Sequence, residues 1–154
     1  MTHNPMNNQV ILLVEDNSDD AVLAVRAFKK HNLVNDIVVV CDGVEALEYL
    51  HCEGEYKDRD CNEQPKIVIL DLNLPRLNGL EVLKDIRNDD RTKLLPVIML
   101  TSSVEESDVL NCYGSGANSY IHKPIDYDKF SDMSQQLVDY WFTANTPPPL
   151  NGQI

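Results

Sequence analysis

Five residues scattered along the 154-residue sequence carry groups that would do chemistry together: the adjacent carboxylates Glu15 and Asp16, a third carboxylate at Asp71, the hydroxyl of Thr101 and the ammonium of Lys123. Each stands at or just past the end of a short apolar run. If those runs are parallel strands, the five groups meet at one edge, because open α/β sheets place ligand sites beyond the carboxyl ends of their strands. Converging carboxylates repel: at ~4 Å a like-charged pair costs about 1 kcal/mol in water and about 4 kcal/mol at an effective dielectric of 20. A hard divalent cation offsets this. Mg2+ (or Mn2+) suits such a site, keeping several waters and taking one or two protein carboxylates plus a phosphate oxygen. Lys123 neutralises part of the remaining charge. Asp71 then becomes a nucleophile able to form an acyl phosphate. Thr101 hydrogen-bonds a phosphoryl oxygen, and charge on the transferring group is stabilised by the cation and Lys123.

The elements that must position these groups follow from hydrophobic patterning. Val10–Val14 (VILLV), Ile37–Cys41 (IVVVC), Lys66–Leu70 (KIVIL), Pro96–Leu100 (PVIML) and Ser119–His122 read as strands. Short continuous apolar runs of this kind suit strands buried on both faces. Between them apolar residues recur at helical spacing: Ala21, Val22, Val25 and Phe28 after an N-cap at Ser18; Val44, Leu47 and Leu50 after Gly43; Leu80, Leu83 and Ile86 after Gly79; a short helix at Glu105–Tyr113; and Phe130, Met133, Leu137 and Trp141 in a last helix capped by Asp126 or Asp128. Glu53–Gln64 is polar and reads as a surface loop. Alternating strands and helices predict a parallel sheet covered on both faces. The expected organisation is one domain over 9–143 between disordered tails at 1–8 and 144–154.

Composition narrows the function. A formal net charge of −12 opposes docking on nucleic-acid phosphate or an anionic membrane. No apolar run approaches the ~20 residues of a spanning helix, and the polar N-terminal stretch lacks the apolar core of a secretory signal, so a cytoplasmic location is expected. The four cysteines, at 41, 52, 61 and 112, form no CxxC pair or zinc-like spacing and read as free thiols. Asp16, Ser18 and Asp20 have calcium-loop spacing, but Ala21 and Ala27 occupy the positions that need Gly and Glu.

Four segments, ILLVEDN (Ile11–Asn17), VILDLNLPRLNG (Val68–Gly79), VIMLTSS (Val97–Ser103) and YIHKPI (Tyr120–Ile125), resemble in order, spacing and placement the signatures of the CheY-like receiver domain of response regulators. The resemblance runs from Val10 to Trp141. It implies a flavodoxin-like fold with strand order 2-1-3-4-5. Asp71 becomes the phospho-acceptor, Glu15 and Asp16 the acidic pair at the metal, and the backbone of Asn73 a further ligand. Thr101 is the switch hydroxyl, Lys123 the phosphate-pairing lysine and Tyr120 the switch aromatic, and the Lys123–Pro124 bond is cis. Glu15 stands where Asp is often found. A finer resemblance, carried by the opening ILLVEDN, the long polar loop and an aromatic-rich last helix, is to small response regulators paired with bacterial, especially cyanobacterial, phytochrome histidine kinases. It implies a signalling switch, not a turnover enzyme, with a histidine kinase as partner. Tyr127, Val138, Tyr140 and Phe142 fall off the core stripe of the last helix and suggest a homodimer surface.

A phosphotransfer intermediate in a multi-step relay, without output of its own, would use the same site and is the alternative reading. Other functions are disfavoured by particular residues. A haloacid-dehalogenase-like phosphatase needs a second Asp two residues past its nucleophile, where this chain has Asn73, which cannot transfer the proton. A flavin carrier needs a phosphate loop after the first strand, where Glu15–Asp20 is acidic. A transcription factor would need a DNA-binding domain.

Overall fold

The computed structural model describes residues 10–30 and 36–149. Strands β1 (Ile11–Val14), β2 (Ile37–Val40), β3 (Ile67–Leu70), β4 (Val97–Thr101) and β5 (Ser119–His122) alternate with helices α1 (Ser18–Lys30), α2 (Gly43–His51), α3 (Gly79–Asn88), α4 (Glu106–Gly114) and α5 (Tyr127–Asp139). All strand pairs are parallel, in the order β2-β1-β3-β4-β5. This is the flavodoxin-like receiver arrangement that the resemblance implies.

Successive strand side chains point to opposite faces, and the core divides accordingly. Leu12, Val14, Val68, Leu70, Val97 and Met99 pack against Ala46 and Leu50 of α2, Val82, Leu83 and Ile86 of α3, and Cys112 of α4. Ile11, Leu13, Ile67, Ile69, Ile98 and Leu100 pack against Ala24, Ala27 and Phe28 of α1 and Phe130, Leu137 and Val138 of α5. A strand buried on both faces has no polar side to show, so its sequence does not alternate. The edge strands differ: Val39 of β2 is exposed, and β5 is half-buried along most of its length.

Helix starts follow local capping. Asp42 accepts the Glu45 N–H at α2, Asn78 the Glu81 N–H at α3, and Asp126 the Asp128 N–H at α5. At α1 the cap is Asn17, whose Oδ1 accepts the N–H groups of Asp19 and Asp20 at 3.0 and 3.1 Å. Ser18 is instead the first helical residue, because Asn caps at least as well as Ser. Gly79 is required at the start of α3: a Cβ there would lie 2.2 Å from the carbonyl oxygen of Asp71.

Three further expectations are corrected. Cys52 and Cys61 are not free thiols but joined as a disulfide across the loop after α2, where their Cα atoms lie 5.8 Å apart; spacing along the chain cannot reveal that approach. Cys41 and Cys112 are free. Val138 is only 9 % exposed and belongs to the α1–α5 core. Phe142 also packs on that core, with Lys66 Nζ 4.9 Å above its ring. Val138 keeps ordinary helical spacing, four and seven residues after Ser134 and Ser131, whose burial widens the core face of α5 beyond its apolar residues. Phe142 is re-aimed because α5 runs on into a π-helical turn (Tyr140–Ala144), which shifts the residues after Asp139 from simple helical spacing. Of the four expected partner residues only Tyr140 is well exposed, at 52 %; Tyr127 is half-buried. Of the tail expected at 144–154, Ala144 ends the π-helical turn and 145–149 are irregular chain, while its residues 150–154 and the tail expected at 1–8 lie outside the described residues.

Candidate functional site

The β1–β3 register pairs Val14 with Leu70. The residues that follow, Glu15 and Asp71, therefore emerge side by side at the carboxyl edge of the sheet. Asp16 continues from Glu15, and carboxylate oxygens of Glu15, Asp16 and Asp71 all lie within 4.8 Å of one another. Glu15 and Asp71 are buried, 5 % and 7 % exposed, whereas Asp16 is open to solvent. Thr101, at the tip of β4, is fully buried and its Oγ1 accepts the Ser103 N–H at 3.3 Å.

Lys123 arrives from just past β5. Its backbone N–H donates to Thr101 O at 2.8 Å. Its Nζ donates to Asp71 Oδ2 at 3.0 Å, to Asp20 Oδ2 at 3.3 Å, and to Glu15 Oε1 in a closer bond. The peptide bonds of the described residues are trans, including Lys123–Pro124, contrary to the cis bond implied by the resemblance. Trans is the lower-energy isomer of an X–Pro bond by about 0.5–1 kcal/mol, and here it already lets Lys123 meet both Thr101 and Asp71.

The electrostatics are those of excess carboxylate around one cation. Burial pushes the Glu15 carboxyl above its usual range, against the opposing bonds from Lys123 and the Asn17 N–H. Burial would also lower Lys123, but its bonds to Glu15 and Asp71 outweigh that and hold the ammonium charged well above the usual lysine range. These clustered hard oxygen donors suit Mg2+ or Mn2+ rather than a metal that prefers sulfur or imidazole. Asn73 is exposed, and its N–H donates to Asp71 Oδ1 at 3.4 Å.

Behind the site, Tyr120 donates its hydroxyl to Ser103 O at 3.1 Å, and Ser103 Oγ donates to Asp108 Oδ2 at 2.6 Å. The β4–α4 connection is thereby tied to both β5 and α4. Beside Lys123 lies a cleft of about 290 Å3 lined by Asp20, Leu23, Ser102, Pro124, Ile125, Tyr127 and Phe130. The sequence reading places Glu15, Asp16, Asp71, Thr101 and Lys123 together, and the structure brings them together. It missed Asp20 as a partner of Lys123. The available signal was the position of Asp20 in the first turn of α1, directly after the strand end that carries Glu15.

Residues 11–135 match the response regulator receiver domain family. The chain is 36% identical over 140 residues to a probable methanogenesis regulatory protein, FilR2, of Methanothrix harundinacea, a match covering 90% of this chain and 87% of that one. It is 34% identical over 140 residues to the response regulator Rcp1 of Synechocystis, covering 91% and 93%; a solved Mn2+-bound form of Rcp1 superposes with a TM-score of 0.84 at 33% identity, covering 92% of this chain and 99% of that one. The phosphorylated cyanobacterial phytochrome response regulator RcpA superposes with a TM-score of 0.85 at 34% identity, with the same coverage. With the strand order, the acidic cluster and the lysine that closes it already in place, these matches are decisive: the chain belongs to the response regulator receiver domain family.

Proposed function

We propose that the chain is a single-domain response regulator that accepts a phosphoryl group on Asp71 from the phosphohistidine of a histidine kinase. The observation that carries this is the meeting of Asp71 with Glu15, Asp16 and Lys123 from three separate strand ends. An Asp71 oxygen attacks phosphorus; the bond to the histidine nitrogen breaks, and its electron pair returns to the imidazole. Lys123 exchanges a carboxylate partner for a phosphoryl oxygen, and Thr101 donates its hydroxyl to another. Glu15, Asp16, Asp71 and the Asn73 carbonyl would hold a divalent cation, Mg2+ or Mn2+, which when bound neutralises charge on the transferring group. The protein is a stoichiometric acceptor, not a turnover enzyme. Similarity to Rcp1 and RcpA supports a phytochrome-type kinase as donor. This reading puts the chain in the cytoplasm, where ATP-dependent kinases form phosphohistidine.

Phosphorylation adds about −1.5 to −2 charge and three acceptor oxygens. Moving a two-state equilibrium from 1:99 to 99:1 takes about 5.5 kcal/mol. Two or three charge-assisted hydrogen bonds, at about 1.5–3 kcal/mol each, supply it. Drawing Thr101 toward the phosphoryl group pulls on the Ser103 N–H that it accepts. Ser103 in turn holds the Tyr120 hydroxyl, so Tyr120 is the group whose position reports the switch. The exposed Tyr140 leaves the end of α5 as the place for a second copy of the chain. A monomer in sedimentation at high micromolar concentration, with and without phosphorylation, would remove the dimer.

Incubation with a small-molecule phosphodonor and Mg2+, followed by intact mass, tests the central reading. One adduct of about 80 Da is expected, absent in Asp71→Asn. No adduct on the native chain, or an unchanged one in the variant, would overturn it.

A further inference from the structure

The loop between α2 and β3 carries chemistry that phosphotransfer does not use. We propose that Cys52 and Cys61 form a reversible thiol–disulfide modification site, exchanging with low-molecular-weight thiols and disulfides. The inference is independent of phosphorylation at Asp71.

Three observations carry it. First, the loop that carries the two sulfurs is anchored by bonds other than the disulfide. Gln64, itself buried, donates through Nε2 to Leu50 O at 2.9 Å and Cys61 O at 3.0 Å. Arg59 donates to Tyr49 O at 3.1 Å and Glu63 O at 2.6 Å, with its guanidinium 4.1 Å from the Tyr49 ring centroid. Tyr56 donates to Glu45 at 2.8 Å. A loop held this way returns opened thiols to each other. Second, both cysteines are half-buried at the surface, so an external thiol can reach them; Cys112, by contrast, is sealed in the core. Third, Arg91 Nη1 lies 3.9 Å from Cys61 Sγ, and the same guanidinium is oriented by Asp89 at 2.8 and 3.0 Å and meets His51 Nδ1 at 3.1 Å. A fixed cation beside one sulfur stabilises the thiolate released there.

The exchange balances. An external thiolate attacks Cys52 Sγ, forms a mixed disulfide and expels Cys61 as a thiolate beside Arg91. A second external thiolate then attacks the external sulfur of that mixed disulfide and frees Cys52. Two external thiols become one external disulfide, the protein gains two electrons, and the two thiol protons end on Cys52 and Cys61. Oxidation is the reverse, with the external disulfide as oxidant.

The full chain is equilibrated in buffers of stepped reduced-to-oxidised glutathione ratio, then trapped natively with an alkylating agent and weighed. A two-thiol transition without denaturant is expected, lost in both C52S and C61S. Reduction of R91Q should be several-fold slower, with R91K restoring the rate. Thiols that stay free in oxidised glutathione, or a disulfide that resists reduction until denaturant is added, would overturn the site. An unchanged R91Q rate would overturn the placing of the leaving thiolate at Cys61.

Discussion

Replacing Lys123 with Met keeps an unbranched stem and removes the ammonium that Glu15, Asp71 and Asp20 share. Its Nζ lies 3.0 Å from Asp71 Oδ2 and 3.3 Å from Asp20 Oδ2, and also bonds Glu15. Breaking a buried ion pair by removing one partner costs about 3–5 kcal/mol. Two features reduce that here. Asp20 is well solvated and loses little, and Glu15, already pushed up by burial, can escape by taking a proton. The expected loss at neutral pH without divalent cation is about 2–3 kcal/mol, a roughly 30- to 150-fold change in the folded-to-unfolded ratio. Its pH dependence has a definite sign. A carboxyl whose folded pKa lies above its unfolded value contributes stability that is full below the unfolded pKa and is lost as pH rises through the folded one. Glu15 is such a group, and loss of Lys123 raises it further, so the variant loses more stability than the parent on going from acid to neutral pH. Lys123 is shifted upward, so its own contribution is full below the usual lysine range and is lost only in alkali. Urea unfolding followed by circular dichroism at about pH 4 and about pH 7 should show the two proteins converging in acid and separating at neutrality. Added Mg2+ should narrow the neutral gap. A gap under about 0.5 kcal/mol at neutral pH, or one of equal size at both pH values, would refute the reasoning.

Asp42→Ala removes both the α2 cap and the partner of Arg76 (3.0 Å), and should cost about 1–2 kcal/mol in thermal unfolding. The bonds from the Glu45 N–H and Arg76 outweigh burial and hold Asp42 below its usual range, so its contribution should be present above the ordinary carboxylate range and disappear as pH falls through the lowered value. Gly79→Ala places a Cβ 2.2 Å from Asp71 O and 2.8 Å from Leu72 Cα; because backbone cannot yield cheaply, a loss of about 3 kcal/mol or more, read by denaturant midpoint, is expected. Thr101→Val nearly conserves shape in a fully buried position, and its lost bond to the Ser103 N–H should cost about 1 kcal/mol; by NMR the variant should still phosphorylate while Tyr120 no longer responds.

How much was legible depended on whether the deciding interaction was local. The five strands, the two-sided core and the convergence of Glu15, Asp16, Asp71, Thr101 and Lys123 followed from apolar runs ending in polar groups, because parallel strands buried on both faces leave no other pattern. The cap at Asp126, a contact two residues along the chain, was legible for the same reason, whereas those at Asp42 and Asn78 were not read and that expected at Ser18 falls to Asn17. Val138 was misread because its buried face is shared with the polar Ser131 and Ser134, which an apolar stripe does not count, and Phe142 because the π-helical turn after Asp139 breaks the periodicity that assigns helix faces. The Cys52–Cys61 bond escaped because it depends on how the loop folds back against α2.

Taken alone, the sequence determined which groups stand at the strand ends and how many negative charges must be reconciled there, since strand period and residue type are local properties. Only the tertiary structure decided how that charge is shared. The register between β1 and β3, and the approach of Lys123 past β5, set the distances by which one ammonium reaches Glu15, Asp71 and the unforeseen Asp20. Coulomb energies and hydrogen bonds depend on those few ångströms, and separation along the chain does not encode them.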